Sequence, residues 1–192
     1  SYSEDATAKA NNNSVTVSGS ETKKTEVNGD IFGSDAEATG AQTATAEANN
    51  NSVDVSDSTV NSGNIYGGYA EVSLYEISIS ALNDESEGQY QNTSYSEDAT
   101  AKANNNSVTV SGSTVSNGNI YGGDAYAHGN HQTAAAEANG NSVTVSGSTV
   151  NGDIFGGYAD THYGTQNTEY ATGNTVTIDS ATVDSPTIDS PT

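Results

Sequence analysis

Pairs of valines separated by a single polar residue recur along the chain: Val15 and Val17, Val53 and Val55, Val108 and Val110, Val143 and Val145. Period-two alternation marks a strand with one face in a core, because successive side chains of extended backbone point to opposite sides. Two further short apolar stretches follow each pair, ending in Val60, Val115 or Val150 and then in Ile65, Ile120 or Ile154. Ser-Gly, Asn-Gly and Gly-Gly steps separate them and supply the positive φ that tight corners need. No window carries the i, i+3, i+4, i+7 apolar stripe of a helix. The Ala-rich AxAEAN run comes nearest, but it is short and runs straight into asparagines.

The strand signals belong to a repeat. SYSEDATAKANNNSVTVSGS at 1–20 recurs unchanged at 94–113, an offset of 93 residues, and TATAEANNNSVDVSDSTVNSGNIYGGYA from Thr43 and TAAAEANGNSVTVSGSTVNGDIFGGYA from Thr133 echo it. Four units follow, at 1–42, 43–93, 94–132 and 133–170, with a degenerate fifth from Ala171 in a 171–192 tail. The first unit is expanded by the charged loop Glu21 to Thr25. Short strands with Gly and Asn corners, repeated at this interval, predict an all-β fold: a β-solenoid, parallel β-helix-like, in which each unit covers the next. The rival architecture is a tandem array of small β-sandwich modules.

Aligned units separate the two. The residue inside AxA-x-A runs Lys9, Glu47, Lys102, Glu137, and the residue before the Ala that follows the Gly pair runs Asp35, Tyr69, Asp124, Tyr158. Stacking at about 4.8 Å would set each Lys beside carboxylates as a charge ladder; separate sandwiches give these columns no reason to alternate. A third column, Phe32, Tyr66, Tyr121 and Phe155, follows each buried Ile, so period two puts it on the outer face, as rings that simply stack within the coil, as lateral-contact surface or as a platform for sugar rings. The corners Asn11 to Ser14, Asn49 to Ser52 and Asn104 to Ser107, with Asn139 and Asn141, predict hydrogen-bonded Asn ladders. Asn12, Asn50, Asn92 and Asn105 are also formal N-x-S/T acceptors.

Composition changes this picture less than it first suggests. The net charge is −21, and Val, Ile, Leu and Phe number 27 of 192 residues, about 14%. Few large aliphatics with a high charge is a disorder signature, but here those residues fall into columns, as a stacked coil with a thin core requires. Four Lys and no Arg leave nucleic acid and anionic membranes unsuited as partners. No apolar run reaches the roughly 18 to 20 residues of a membrane span. Without Cys there is no disulfide or thiolate chemistry. The start at Ser1 reads as a mature piece of a longer, exported polypeptide.

Candidate chemistry is sparse. NGNIYGGDA and NGDIFGGYAD have Gly and Asp like calcium-binding nonapeptides, but Asp153 abuts Ile154 and the repeat is far longer than nine. No metal ligand set is assigned and no cofactor is expected, with Ca2+ the one ion that 25 carboxylates on a rod would favour. His128, His131 and His162 read as solvated loop residues; no G-x-S-x-G elbow and no desolvated acid–base cleft appear, so no enzyme and no catalytic residue is predicted. The segment Glu71 to Thr93 breaks the repeat, and Val72, Leu74, Ile77, Ile79 and Leu82 read as an inserted hairpin or as an assembly strand pairing with a neighbouring subunit. Pro186 and Pro191 mark a cap, edge or linker.

The pattern N-[ST]-V-T-[VI]-S-G-x-T-V-N-G-x-I-[FY]-G-G, carried by Asn141 to Gly157 and more loosely by the units from Asn13, Asn51 and Asn106, resembles the repeat passengers of bacterial autotransporter-type and large surface adhesins. That resemblance implies a β-solenoid displayed outside the cell as stalk, adhesin or matrix fibre. The expectation is a non-enzymatic extracellular structural protein, a rod or filament subunit that self-associates; the alternative is a glycan- or ice-binding module.

Overall fold

The computed structural model describes residues 5–40, 42–74, 98–129, 133–184 and 188–189. The first turn consists of β1 (Asp5–Lys9), β2 (Ser14–Ser18), β3 (Thr25–Asn28), β4 (Ile31–Phe32) and β5 (Asp35–Gly40). The second holds β6 (Thr43–Glu47), β7 (Ser52–Ser56), β8 (Ser58–Asn61) and β9 (Ile65–Leu74). The third holds β10 (Asp98–Lys102), β11 (Ser107–Ser111), β12 (Thr114–Ser116) and β13 (Ile120–His128). The fourth holds β14 (Thr133–Glu137), β15 (Ser142–Ser146), β16 (Thr149–Asn151) and β17 (Ile154–His162). A reduced fifth comprises β18 (Gln166–Tyr170), β19 (Thr175–Asp179), β20 (Thr182–Val183) and β21 (Ile188–Asp189).

Strands of equal rank pair in parallel from turn to turn, giving four sheets: β1-β6-β10-β14-β18, β2-β7-β11-β15-β19, β3-β8-β12-β16-β20 and β4-β9-β13-β17-β21, with β5 also on β9. This is a β-solenoid, as the repeat predicts. Registers align the repeat residue for residue: Val15 beside Val53, Val53 beside Val108, Val108 beside Val143. Two details differ from expectation. Ile65, Ile120 and Ile154 open long strands rather than closing short ones, because alternation resumes after the Gly pair. The fifth turn opens at Gln166, ahead of Ala171.

The core has two halves of different chemistry. One holds Val53, Val55, Val60, Ile65 and their counterparts in later turns, burying roughly 1.5–3 kcal/mol of transfer free energy per side chain. The other is almost all alanine: Ala44, Ala46, Ala99, Ala101, Ala134 and Ala136 face Ala70, Ala125 and Ala127 where the first sheet packs on β9 and β13. The AxA segment is therefore a strand, its small methyls filling a narrow interior. Val72 and Leu74 belong to this half, 0% and 6% exposed. They are core residues of β9 and are not free to pair with another subunit. Ile77, Ile79 and Leu82 lie outside the described residues.

Candidate functional site

The most chemically varied surface is the outer face of the sheet built on β4, β5, β9, β13 and β17. Ile31, Ile65, Ile120 and Ile154 point inward, so the next residues, Phe32, Tyr66, Tyr121 and Phe155, point out and align. Their rings stack nearly parallel, at centroid separations of 4.7, 5.0 and 5.0 Å and interplanar angles of 5–8°. The expected aromatic column exists, but its ring faces cover one another and it presents edges. A sugar stacks on an open face, so this geometry does not favour the sugar-platform role.

The glycines after each aromatic are dictated by close approach. A Cβ on Gly67 would sit 2.2 Å from the Gly122 carbonyl oxygen, and one on Gly122 at 2.2 Å from that of Gly156. Beyond the pair, three outward columns form in register: Asp35, Tyr69, Asp124, Tyr158; then Glu37, Glu71, Tyr126, Asp160; then Thr39, Ser73, His128, His162. The first of these is the alternating column expected from the aligned units. The second escaped the sequence reading, although period-two counting onward from the Gly pair would have found it.

Tyr69 lies edge-on against Phe32 and Tyr66, and Tyr158 against Tyr121 and Phe155. The Tyr69 hydroxyl donates to Glu71 Oε2. Burial, opposed by the Asn64 amide that donates to its hydroxyl, pushes Tyr66 up to about 12. Asp124 sits in register between Tyr69 and Tyr158; burial first, then the charges of Asp160 and Glu71, push its carboxyl up to about 7. Asp35, in the same column of the first turn, is raised by burial and by Glu71. On this face the charges of Asp160 and Glu71 oppose the ionisation of Asp124, and that of Glu71 opposes the ionisation of Asp35.

The Lys–Glu ladder forms at the end of the first sheet. Lys9 Nζ lies 3.0 Å from Glu47 and Lys102 Nζ 3.4 Å from Glu137, while register also sets Lys102 beside Glu47. His162 Nδ1 is 3.5 Å from Asp160, and His128 packs against Tyr163; His131 lies outside the described residues. Among the described residues no three His, Asp or Glu side chains converge as a metal ligand set.

The asparagine corners carry two ladders. In the inner one, the N–H and Nδ2 of Asn51 donate to Asn106 Oδ1 at 2.9 and 3.0 Å, and those of Asn106 to Asn141 Oδ1 at 2.8 and 3.2 Å, with Asn13 and Asn174 at the ends. In the outer one, the N–H of Asn49, Asn104 and Asn139 donates to Oδ1 of Asn11, Asn49 and Asn104 at 2.6–2.8 Å. A serine ladder at the next corner runs from Ser58 to Ser113 to Ser148. These bonds satisfy backbone groups that would otherwise be buried unpaired.

No protein-family model, curated protein or solved structure matches this chain.

Proposed function

We propose that the protein is a non-enzymatic extracellular structural protein, a rod or filament subunit of a bacterial surface fibre or adhesin, that self-associates by stacking turn on turn. The observation that carries this reading is the outer edge of β1 and β2, with which no other described strand pairs. Their sequence is that of β10 and β11, which lie covered on both sides, and yet Ala6, Ala8, Val15 and Val17 are only partly buried. An edge with interior chemistry fits another turn of the same kind: apolar columns extend, and Asn13 Oδ1 takes the donors that Asn51, Asn106 and Asn141 receive from the turn before them. Unpaired strand edges are templates for such addition. The fifth turn offers Asn174, Val176 and Ile178 in the matching columns of the second sheet, while in the first sheet Asn167 and Glu169 stand where earlier turns have alanine.

Sedimentation velocity and negative-stain microscopy across a concentration series test the proposal. Rods that lengthen with concentration are expected; dispersed monomers at every concentration would overturn it. One observation favours a second reading, ice binding. The outer face of the second sheet carries hydroxyl columns, Ser14, Ser52, Ser107, Ser142 and Thr16, Thr109, Thr144, Thr177, interrupted by Asp54. Thermal hysteresis in the same preparation tests it, and none at millimolar protein removes it.

A further inference from the structure

Each N-N-N-S corner places three asparagines in three different situations. The first joins the outer ladder and the third the inner ladder, through their side-chain amides. The middle residue enters neither. Asn12, Asn50 and Asn105 instead adopt φ of 62°, 58° and 56°, and all three are exposed. The left-handed conformation explains why only Asn or Gly stands here, since those residues tolerate it best. Gly140 and Gly173, with φ of 64° and 65°, occupy the same place in the fourth and fifth turns. The conformation makes no use of the carboxamide, so in the first three turns an exposed amide is left over. Each is followed by Asn-Ser, with Ser14 exposed and Ser52 and Ser107 partly so.

We propose that Asn12, Asn50 and Asn105 form a column of N-glycosylation acceptors on this edge of the rod, absent from the fourth and fifth turns. The donor is a sugar activated by a phosphate ester, such as a nucleoside diphosphate hexose. The Asn Nδ2 attacks the anomeric carbon; the N–C bond forms as the C–O bond to phosphate breaks; the nucleoside diphosphate leaves and the amide proton passes to a base of the transferase. The N-x-S spacing is the acceptor signature.

The stack limits how many sites fill. Backbone bonds from Asn12 N to Asn49 O, Asn50 N to Asn104 O and Asn105 N to Asn139 O keep the three residues one above another, at about 4.8 Å per turn. A hexose with its hydroxyls is wider than one such step, so a sugar on Asn50 crowds both neighbours. Asn12 and Asn105, two turns apart, accommodate one each.

The test uses the folded chain, a soluble asparagine glycosyltransferase and UDP-glucose, read by intact mass and peptide mapping, with a peptide spanning Asn11 to Ser14 confirming that the enzyme is active. One or two hexoses per chain are expected, on Asn12 and Asn105 or on Asn50 alone. The triple variant Asn12→Gly, Asn50→Gly, Asn105→Gly, whose glycines match those of the later turns and so preserve the fold, is expected to lose them all. A folded chain that stays unmodified at these positions while the peptide is labelled overturns the proposal. So does labelling confined to Asn92.

Discussion

Residues 5–18 and 98–111 have the same sequence, DATAKANNNSVTVS, and the same strands, yet they live in different environments. In the third turn Ala99, Ala101, Val108 and Val110 are at most 1% exposed and Asn106 is buried; in the first, their counterparts Ala6, Ala8, Val15 and Val17 are partly exposed and Asn13 is exposed. Strand formation, corner conformation and register therefore belong to the local sequence, while burial belongs to the neighbour. A repeat turn cannot bury its own faces; it borrows a core from the turns on either side. The last turn answers the same exposure differently. Asn167 and Glu169 replace alanines in the first sheet, and Glu169 Oε1 accepts from the Thr161 amide and hydroxyl at 3.1 and 2.7 Å. The fifth described turn is partly polar where the first keeps interior chemistry.

The largest separation of the two environments is expected from one substitution made in each. Val110→Asp sets a charge between covered turns and should remove more than about 4 kcal/mol, abolishing cooperative unfolding. Val17→Asp should lower the monomer's stability by about 1 kcal/mol while stopping the concentration-dependent growth of rods. Thermal denaturation by circular dichroism and sedimentation velocity read the two effects; equal destabilisation would break the comparison. Next in size is the inner ladder. Asn106→Ala strips two hydrogen bonds from Asn51 and leaves a buried N–H unpaired, a loss of about 2–3 kcal/mol. Asn13→Ala leaves the Asn13 N–H on Asn51 Oδ1 and should cost about 1 kcal/mol or less by the same denaturation measurement.

How much of this was readable beforehand follows from the same contrast. Valine alternation and the unit alignment disclosed the solenoid, and the columns Lys9, Glu47, Lys102, Glu137 and Phe32, Tyr66, Tyr121, Phe155 are each in register. The alanine half of the core was not disclosed, because counting large aliphatics leaves out a methyl, and AxAEA reads as helix-tolerant until Ala44 and Ala70 are seen to share one cluster. Nor was the fate of Val72 and Leu74, whose alternation fits an inserted strand as well as the end of β9. Period two tells which residues share a face, and it is silent on what covers that face.

A smaller effect should come from the column holding Asp35 and Asp124. Asp124 has a neighbour in register on both sides, Asp35 a described one on one side. Because burial and the Asp160 and Glu71 charges raise Asp124 to about 7, the folded state holds a proton there that the unfolded chain, near 3.8, has released. Stability therefore falls as pH rises from about 4 to about 7, and the loss is complete above 7. After discounting for residual contact with water it amounts to about 2 kcal/mol. Asp124→Asn should raise Tm at pH 8 by about 4–8 °C and leave it unchanged at pH 3.5, while Asp35→Asn should show the same sign with a lesser gain. A Tm of Asp124→Asn that tracks the wild type at both pH values would remove the carboxylate repulsion from the account.

The smallest difference should lie in the charge ladder. Lys102 has Glu47 and Glu137 beside it, whereas Lys9 has Glu47 alone among the described residues, and their side chains are 35% and 56% exposed. Exposed pairs contribute between 0 and about 1 kcal/mol, so Lys102→Gln should cost less than about 1 kcal/mol and Lys9→Gln about half of that. Either change takes the net charge from −21 to −22, adding slightly to the self-repulsion of the rod, and half-molar salt should erase the difference by screening it. If the gap between the two variants survives salt, the lysine stem contributes through packing. If the gap is absent even at low salt, the column serves to exclude misregistered turns, since a one-turn slip would set Glu47 against Glu137 and lysine against lysine.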